Sequence, residues 1–174
     1  MRFVRSGFLF AAALIWMFPP ADVVLFSQAI DAPPGWKASQ EGRNWIYRPT
    51  DLPSSGSFTL TVESPAALDG KDAERWFTEQ VQADAAGRGS IEENQPVQHG
   101  PLGVLGIERV YRSRDKRPWH VMYVSFPLTM HRVLFCYTVS NLTESPAFHE
   151  YVRAGGKMCG QFARSVDQST PAPK

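Results

Sequence analysis

The sequence predicts an α+β fold: an α/β/α sandwich with a mainly antiparallel sheet and two covering helices. Three observations predict it. The stretch Val104 to Ser140 reads as three consecutive antiparallel strands. Both faces of those strands carry apolar side chains, and a sheet apolar on both faces needs cover on both. Two amphipathic helical patterns, one before this stretch and one after, can supply it. A chain of 174 residues is long enough for one domain with a real core and too short for two comfortable ones. The domain is expected to span residues 33–166, with a frayed tail at 167–174.

Residues 1–29 stand apart from the fold. Arg2 and Arg5 precede the apolar run Phe8 to Phe18, and Ser27-Gln28-Ala29 places small residues where signal peptidase reads. The expectation is a cleaved signal peptide and a periplasmic or secreted protein. The alternative is an N-terminal inner-membrane anchor, because Val23 to Phe26 is again apolar. Against it, Pro19-Pro20 interrupts the run well short of the roughly 20 apolar residues a spanning helix needs.

Pro33-Pro34-Gly35-Trp36 opens the domain. Trp36 to Ser39 and Asn44 to Arg48 read as a hairpin turning at Glu41-Gly42-Arg43. Phe58, Leu60 and Val62 alternate with polar residues, which predicts a strand with one buried face. Asp69 is the expected N-cap of the first helix, with Asp72 at its third position. Ala73, Trp76, Phe77, Gln80, Val81 and Asp84-Ala85 give its stripe, and Gly87 its stop. Arg88 to Gly103 is rich in turn residues and reads as a long connection, with a short strand at Pro96 to His99.

In the three-stranded stretch, Asp115-Lys116 is the expected tip of the first hairpin and Leu128-Thr129 the second turn. Met122, Val124 and Phe126 oppose Trp119, Val121 and Tyr123. His131, Val133, Phe135, Tyr137 and Val139 oppose Leu134 and Cys136. The second helix is capped by Ser145 with Pro146 at its first position. Its stripe runs Phe148, Tyr151, Val152, Gly155, Cys159, Phe162, Ala163 and Val166. Two mid-helix glycines cost about 1 kcal/mol each. A close approach to the sheet explains Gly155; nothing in the pattern explains Gly156.

The formal net charge of +1 argues against a dedicated nucleic-acid binder. Without residues 1–29 the chain carries 16 basic and 16 acidic residues, unevenly spread. Eight acids against three bases lie between Glu63 and Glu93, and five bases against one acid between Arg109 and Arg117. The latter, Arg109, Arg112, Arg114, Lys116 and Arg117 with Tyr111 and Trp119 beside them, form the sharpest candidate site. Guanidinium groups beside aromatics suit phosphate, carboxylate or anionic-lipid recognition. The plain alternative is a solvated hairpin that discourages edge pairing. The expected partner is a protein or an anionic envelope surface, with membrane contact only through an uncleaved N-terminal segment.

Cys136 and Cys159 admit two readings. In an oxidising compartment they can form a disulfide worth about 3 kcal/mol through loop closure; otherwise they are buried free thiols. His99, His120, His131 and His149 show no close metal-ligand spacing, although His120 and His131 are expected on neighbouring strands. No GxSxG elbow or phosphate-binding loop is present, so no cofactor, metal or catalytic residue is assigned. Trp45 and Tyr47 share a strand face and either pack in the core or line a groove.

The segments PPGWKASQEGRNWIYRP, FTLTVES, KDAERWFTEQV, the three strands and FHEYVRAGGKMCGQF together resemble the PsbP-like fold in their order. That family includes the extrinsic subunit of photosystem II and the periplasmic DcrB-like proteins, and the resemblance covers most of residues 33–165. It implies a sandwich with an accessory, docking or binding role and transfers no individual functional residue. No cysteine lies near residue 29, which departs from the lipid-anchored members. Two further readings come from other classes: an envelope hydrolase with a site of scattered polar residues, and a carrier with a pocket between the sheet and the second helix.

Overall fold

The computed structural model describes residues 31–112, 118–142 and 146–168. The proposed signal segment, the hairpin tip at 113–117, the Ser145 cap and residues 169–174 lie outside them. The strands are β1 (Trp36–Glu41), β2 (Asn44–Pro49), β3 (Phe58–Val62), β4 (Ala66–Ala67), β5 (Ser90–Asn94), β6 (Gln98–His99), β7 (Leu105–Arg112), β8 (Pro118–Leu128) and β9 (Arg132–Ser140). The helices are α1 (Ala73–Ala85) and α2 (Pro146–Gln168). One antiparallel sheet runs β1-β2-β3-β9-β8-β7-β5, with β4 added to β9 and β6 to β7.

The helices lie on opposite faces, as the two apolar faces require. Against α2 pack Tyr47, Phe58, Leu60, Val62, Leu134 and Cys136. Against α1 pack Ile107, Tyr111, Val121, Tyr123, Val133 and Phe135, meeting Trp76, Phe77 and Val81. The alternation along β8 and β9 thus sorts their side chains into two cores on either side of one sheet. Among the described residues, no helix is long and apolar enough to cross a membrane.

Several elements differ from the sequence reading. The N-cap of α1 is Asp72, whose side chain accepts the Arg75 N–H at 2.8 Å. Asp69 (φ 48°) and Gly70 (φ 79°) are both left-handed and form a turn before the helix. Within the long connection, Ser90–Asn94 forms the edge strand β5. Gly89 leads into it at φ 114°, where a Cβ would lie 2.8 Å from the Arg112 carbonyl oxygen. The second turn is Thr129 to His131, with Met130 and His131 at positive φ, so His131 is not on β9. His120 pairs with Ser140 at the far end of that hairpin. The two histidines are separated by about 27 Å of ladder and do not meet.

Helix α2 continues through Asp167 and Gln168, the first two residues of the expected tail. Asp167 accepts the Thr129 backbone N–H at 2.8 Å and its hydroxyl at 3.0 Å, tying the helix to the β8–β9 turn. Trp45 and Tyr47 are buried in the core beneath α2, the first of their two expected readings. Gly155 sits where a Cβ would lie 3.4 Å from Thr138 Cγ2, which is the close approach the sequence suggested. A Cβ on Gly156 would meet nothing within 4 Å. Gly156→Ala is therefore expected to stabilise the protein by about 0.5–1 kcal/mol, read as a rise in urea midpoint.

Candidate functional site

The basic cluster is only partly described, and the two arginines in view are engaged. The Arg109 guanidinium donates to the carbonyls of Gln95 (2.6 Å) and Glu108 (3.2 Å). Arg112 pairs with Glu92 on β5. Both hold the β5–β7 edge together. Arg114, Lys116 and Arg117 lie outside the described residues. Trp119 is half-buried and belongs to a different constellation, on the α1 face.

That constellation begins with the register of the sheet. Tyr123 on β8 is opposite Tyr137 on β9, and Tyr111 on β7 is opposite Trp119. All four fall on the face covered by α1. The last turn of α1 brings Asp84 onto this aromatic surface, and Arg88 follows four residues later. Tyr123 donates its hydroxyl proton to Asp84 Oδ2 at 2.5 Å. With that proton committed, the Tyr111 hydroxyl is the donor in its 3.0 Å contact with Tyr123. Arg88 donates to both oxygens of the same carboxylate, one contact being 2.8 Å. Its guanidinium lies over the Tyr137 ring, 5.3 Å from the centroid, a cation–π contact.

The electrostatics follow from this arrangement. Burial, then the hydrogen bonds to Asp84 and Tyr111, push the Tyr123 phenol far up. Burial also raises Tyr137. Burial works against the Arg88 charge, but the hydrogen bonds and negative charge of Asp84 outweigh it and its pKa rises. Glu63 stands nearby at the end of β3. Burial, then the charge of Asp84, raise its carboxyl. Its ionised form is thus disfavoured in the folded state. Glu63→Gln is expected to increase stability at neutral pH, and the gain should shrink as pH falls through the raised folded pKa, where Glu63 takes up a proton. Denaturant midpoints between about pH 4 and pH 8 check this; a gain constant with pH contradicts it.

Beside the constellation an open cleft of about 330 Å³ is lined by Gly87, Arg88, Tyr111, Trp119 and Val139. Among the described residues Arg88 is its single charged lining residue, over an aromatic and aliphatic floor. Among the described residues, a gap between the sheet and α2 bordered by Leu60, Val124, Thr138 and Gly155 holds about 20 Å³, room for one water.

The two cysteines sit in that same α2-side core. Both are free and buried, and Cys136 lies beside Cys159. Burial and this neighbour push the Cys136 thiol up, so it is a poor nucleophile. Among the described residues, no three His, Cys, Asp or Glu side chains could together hold a metal ion.

No family model matches the chain, and no curated protein matches it. Among solved structures it is similar to a protein of unknown function from Pseudomonas aeruginosa, at 15% identity and a TM-score of 0.42. That match covers 78% of this chain and 88% of the other. It is also similar to LpqN of Mycobacterium tuberculosis, a protein involved in cell envelope biogenesis, at 10% identity and a TM-score of 0.44. Here 80% of this chain and 79% of the other are covered.

Proposed function

We propose that the chain is an exported, non-catalytic docking module of the cell envelope, PsbP-like in layout, and that it recognises its partner through the cleft at the end of α1. The observation that carries this reading is the state of Asp84. Its carboxylate already accepts from Arg88 and from Tyr123, so it is poorly placed to act as a base or nucleophile. What the cleft offers is recognition: Trp119 and Tyr111 as flat apolar surface, and a fixed guanidinium at the wall. Aromatic side chains and arginine dominate binding surfaces because they bring large area and directional hydrogen bonds together. The group received is an acidic or carbonyl-bearing side chain with an apolar neighbour.

Photo-cross-linking in the native host tests this. A photoreactive residue at Val139, in the cleft, should yield one discrete adduct. The same residue at Glu150, on the exposed side of α2, should yield none. Equal adducts from both positions, or none from Val139, would sink the reading.

A further inference from the structure

The two edges of the sheet differ. At the β5 edge the register shifts between Ile91 and Glu93, a bulge, and the acids Glu92 and Glu93 occupy the strand. Bulges and charges are the usual defences of an edge against another strand. At the opposite edge, β1 pairs with β2 through six residues without a shift. Lys37 to Glu41 are all exposed, and no proline interrupts them.

The hairpin fixes which backbone groups of β1 are open. Its turn has two residues, Gly42 and Arg43, closed by the pair Glu41–Asn44. In such a hairpin the closing pair and every second pair beyond it share ladder hydrogen bonds. Glu41, Ser39 and Lys37 therefore bond to β2, and the N–H and C=O groups of Ala38 and Gln40 point outward.

We propose that β1 is a docking edge for a second copy of this chain, joined antiparallel about a two-fold axis. Charge complementarity names the partner. The ladder closes only where outward residues face outward residues. Ala38 opposite Ala38 would set Lys37 against Ser39, and Gln40 opposite Gln40 would set Lys37 against Arg43. Ala38 opposite Gln40 places Ser39 against its own copy and Lys37 against Glu41, twice. Glu41 also accepts from Arg48 of its own chain at 3.3 Å, so each carboxylate then lies between two cations. The self-pairing register is the one that joins opposite charges, as a closed isologous contact requires.

Sedimentation of the purified exported chain over a concentration series tests this. The wild type should dimerise, more weakly as salt rises. Gln40→Pro removes an outward N–H that β2 does not use. It should give a monomer with unchanged circular dichroism. Lys37→Glu and Glu41→Lys should each weaken dimerisation about tenfold or more, since each places like charges opposite twice. Mixed together, these two variants should form a one-to-one dimer as tight as the wild type. A wild type monomeric at every concentration, a dimer that survives Gln40→Pro in a folded chain, or a mixture that fails to recover would each overturn the proposal. The mixing experiment stays decisive if Gln40→Pro disturbs folding.

Discussion

Asp84→Ala is expected to lower stability by roughly 3 kcal/mol, a large share of what holds a domain of this size together. The carboxylate is the common acceptor for Arg88 and Tyr123, and Tyr111 bonds to it through Tyr123. Its removal leaves the guanidinium, only 23% exposed, with no counter-charge among these groups. It also leaves a buried phenol without its acceptor. Asp84→Asn should cost less, because the amide oxygen still accepts one hydrogen bond. The double variant Asp84→Ala/Arg88→Ala should cost less than the sum of its parts, since the stranded cation goes too. Urea melts of the wild type, of Asp84→Ala, Asp84→Asn and Arg88→Ala, and of the double variant measure this. An Asp84→Ala change within 0.5 kcal/mol of wild type would show that the constellation holds nothing in place.

Gly155→Leu is expected to cost about 2–3 kcal/mol by overpacking. Even a bare Cβ here stands 3.4 Å from Thr138 Cγ2, with the Leu60 methyls at 3.8 Å. A leucine must push α2 away from β3 and β9, and Cys159 lies one turn further along the same stripe. The variant should therefore melt lower, and its cysteines should be alkylated faster than in the wild type. Gly155→Ala should be nearly neutral. Alanine gains about 1 kcal/mol of helix propensity, and the tight contact offsets it. A leucine variant that melts with the wild type would mean that helix and sheet are not closely apposed.

What the sequence disclosed depended on burial. Strands β8 and β9 are apolar on both faces, so their pattern announced both the sheet and the need for two covers. Helix α2 was legible because its stripe is long and begins at a proline. Strand β5 was not, because all five of its residues are exposed, and it is held by the ladder to β7 and the Arg112–Glu92 pair rather than by a buried face. No side-chain period marks an edge strand that buries nothing. The cap of α1 was misplaced because Asp69 and Asp72 have equal capping chemistry, and the left-handed turn at Asp69-Gly70 chose between them.

The candidate site was half visible. Trp119 and Tyr111 were noticed, but for their nearness in sequence to the arginines 112 to 117. Arg88, the charged residue that lines the cleft, was read as part of a loop. One signal could have found it: Asp84 is a carboxylate within an apolar stripe, with an arginine at i+4 and tyrosines on the facing strands. A charge in that position needs a partner in the core. The binding residues proposed at 114, 116 and 117 rest on sequence alone.

The strand made last occupies the middle of the sheet. Strand β9 joins β3 to β8, and Ser57 donates its backbone N–H to the Asn141 side chain 84 residues later at 2.6 Å. Until Arg132 to Ser140 is available, the first three strands have an open flank and only half of their layer. Such distant pairing makes for slow assembly, because the ends of a long segment must be brought together first. If the chain is exported as proposed, threaded through a membrane pore from its amino end, this delay would keep it unfolded in transit and let it acquire its shape only once nearly all of it had crossed.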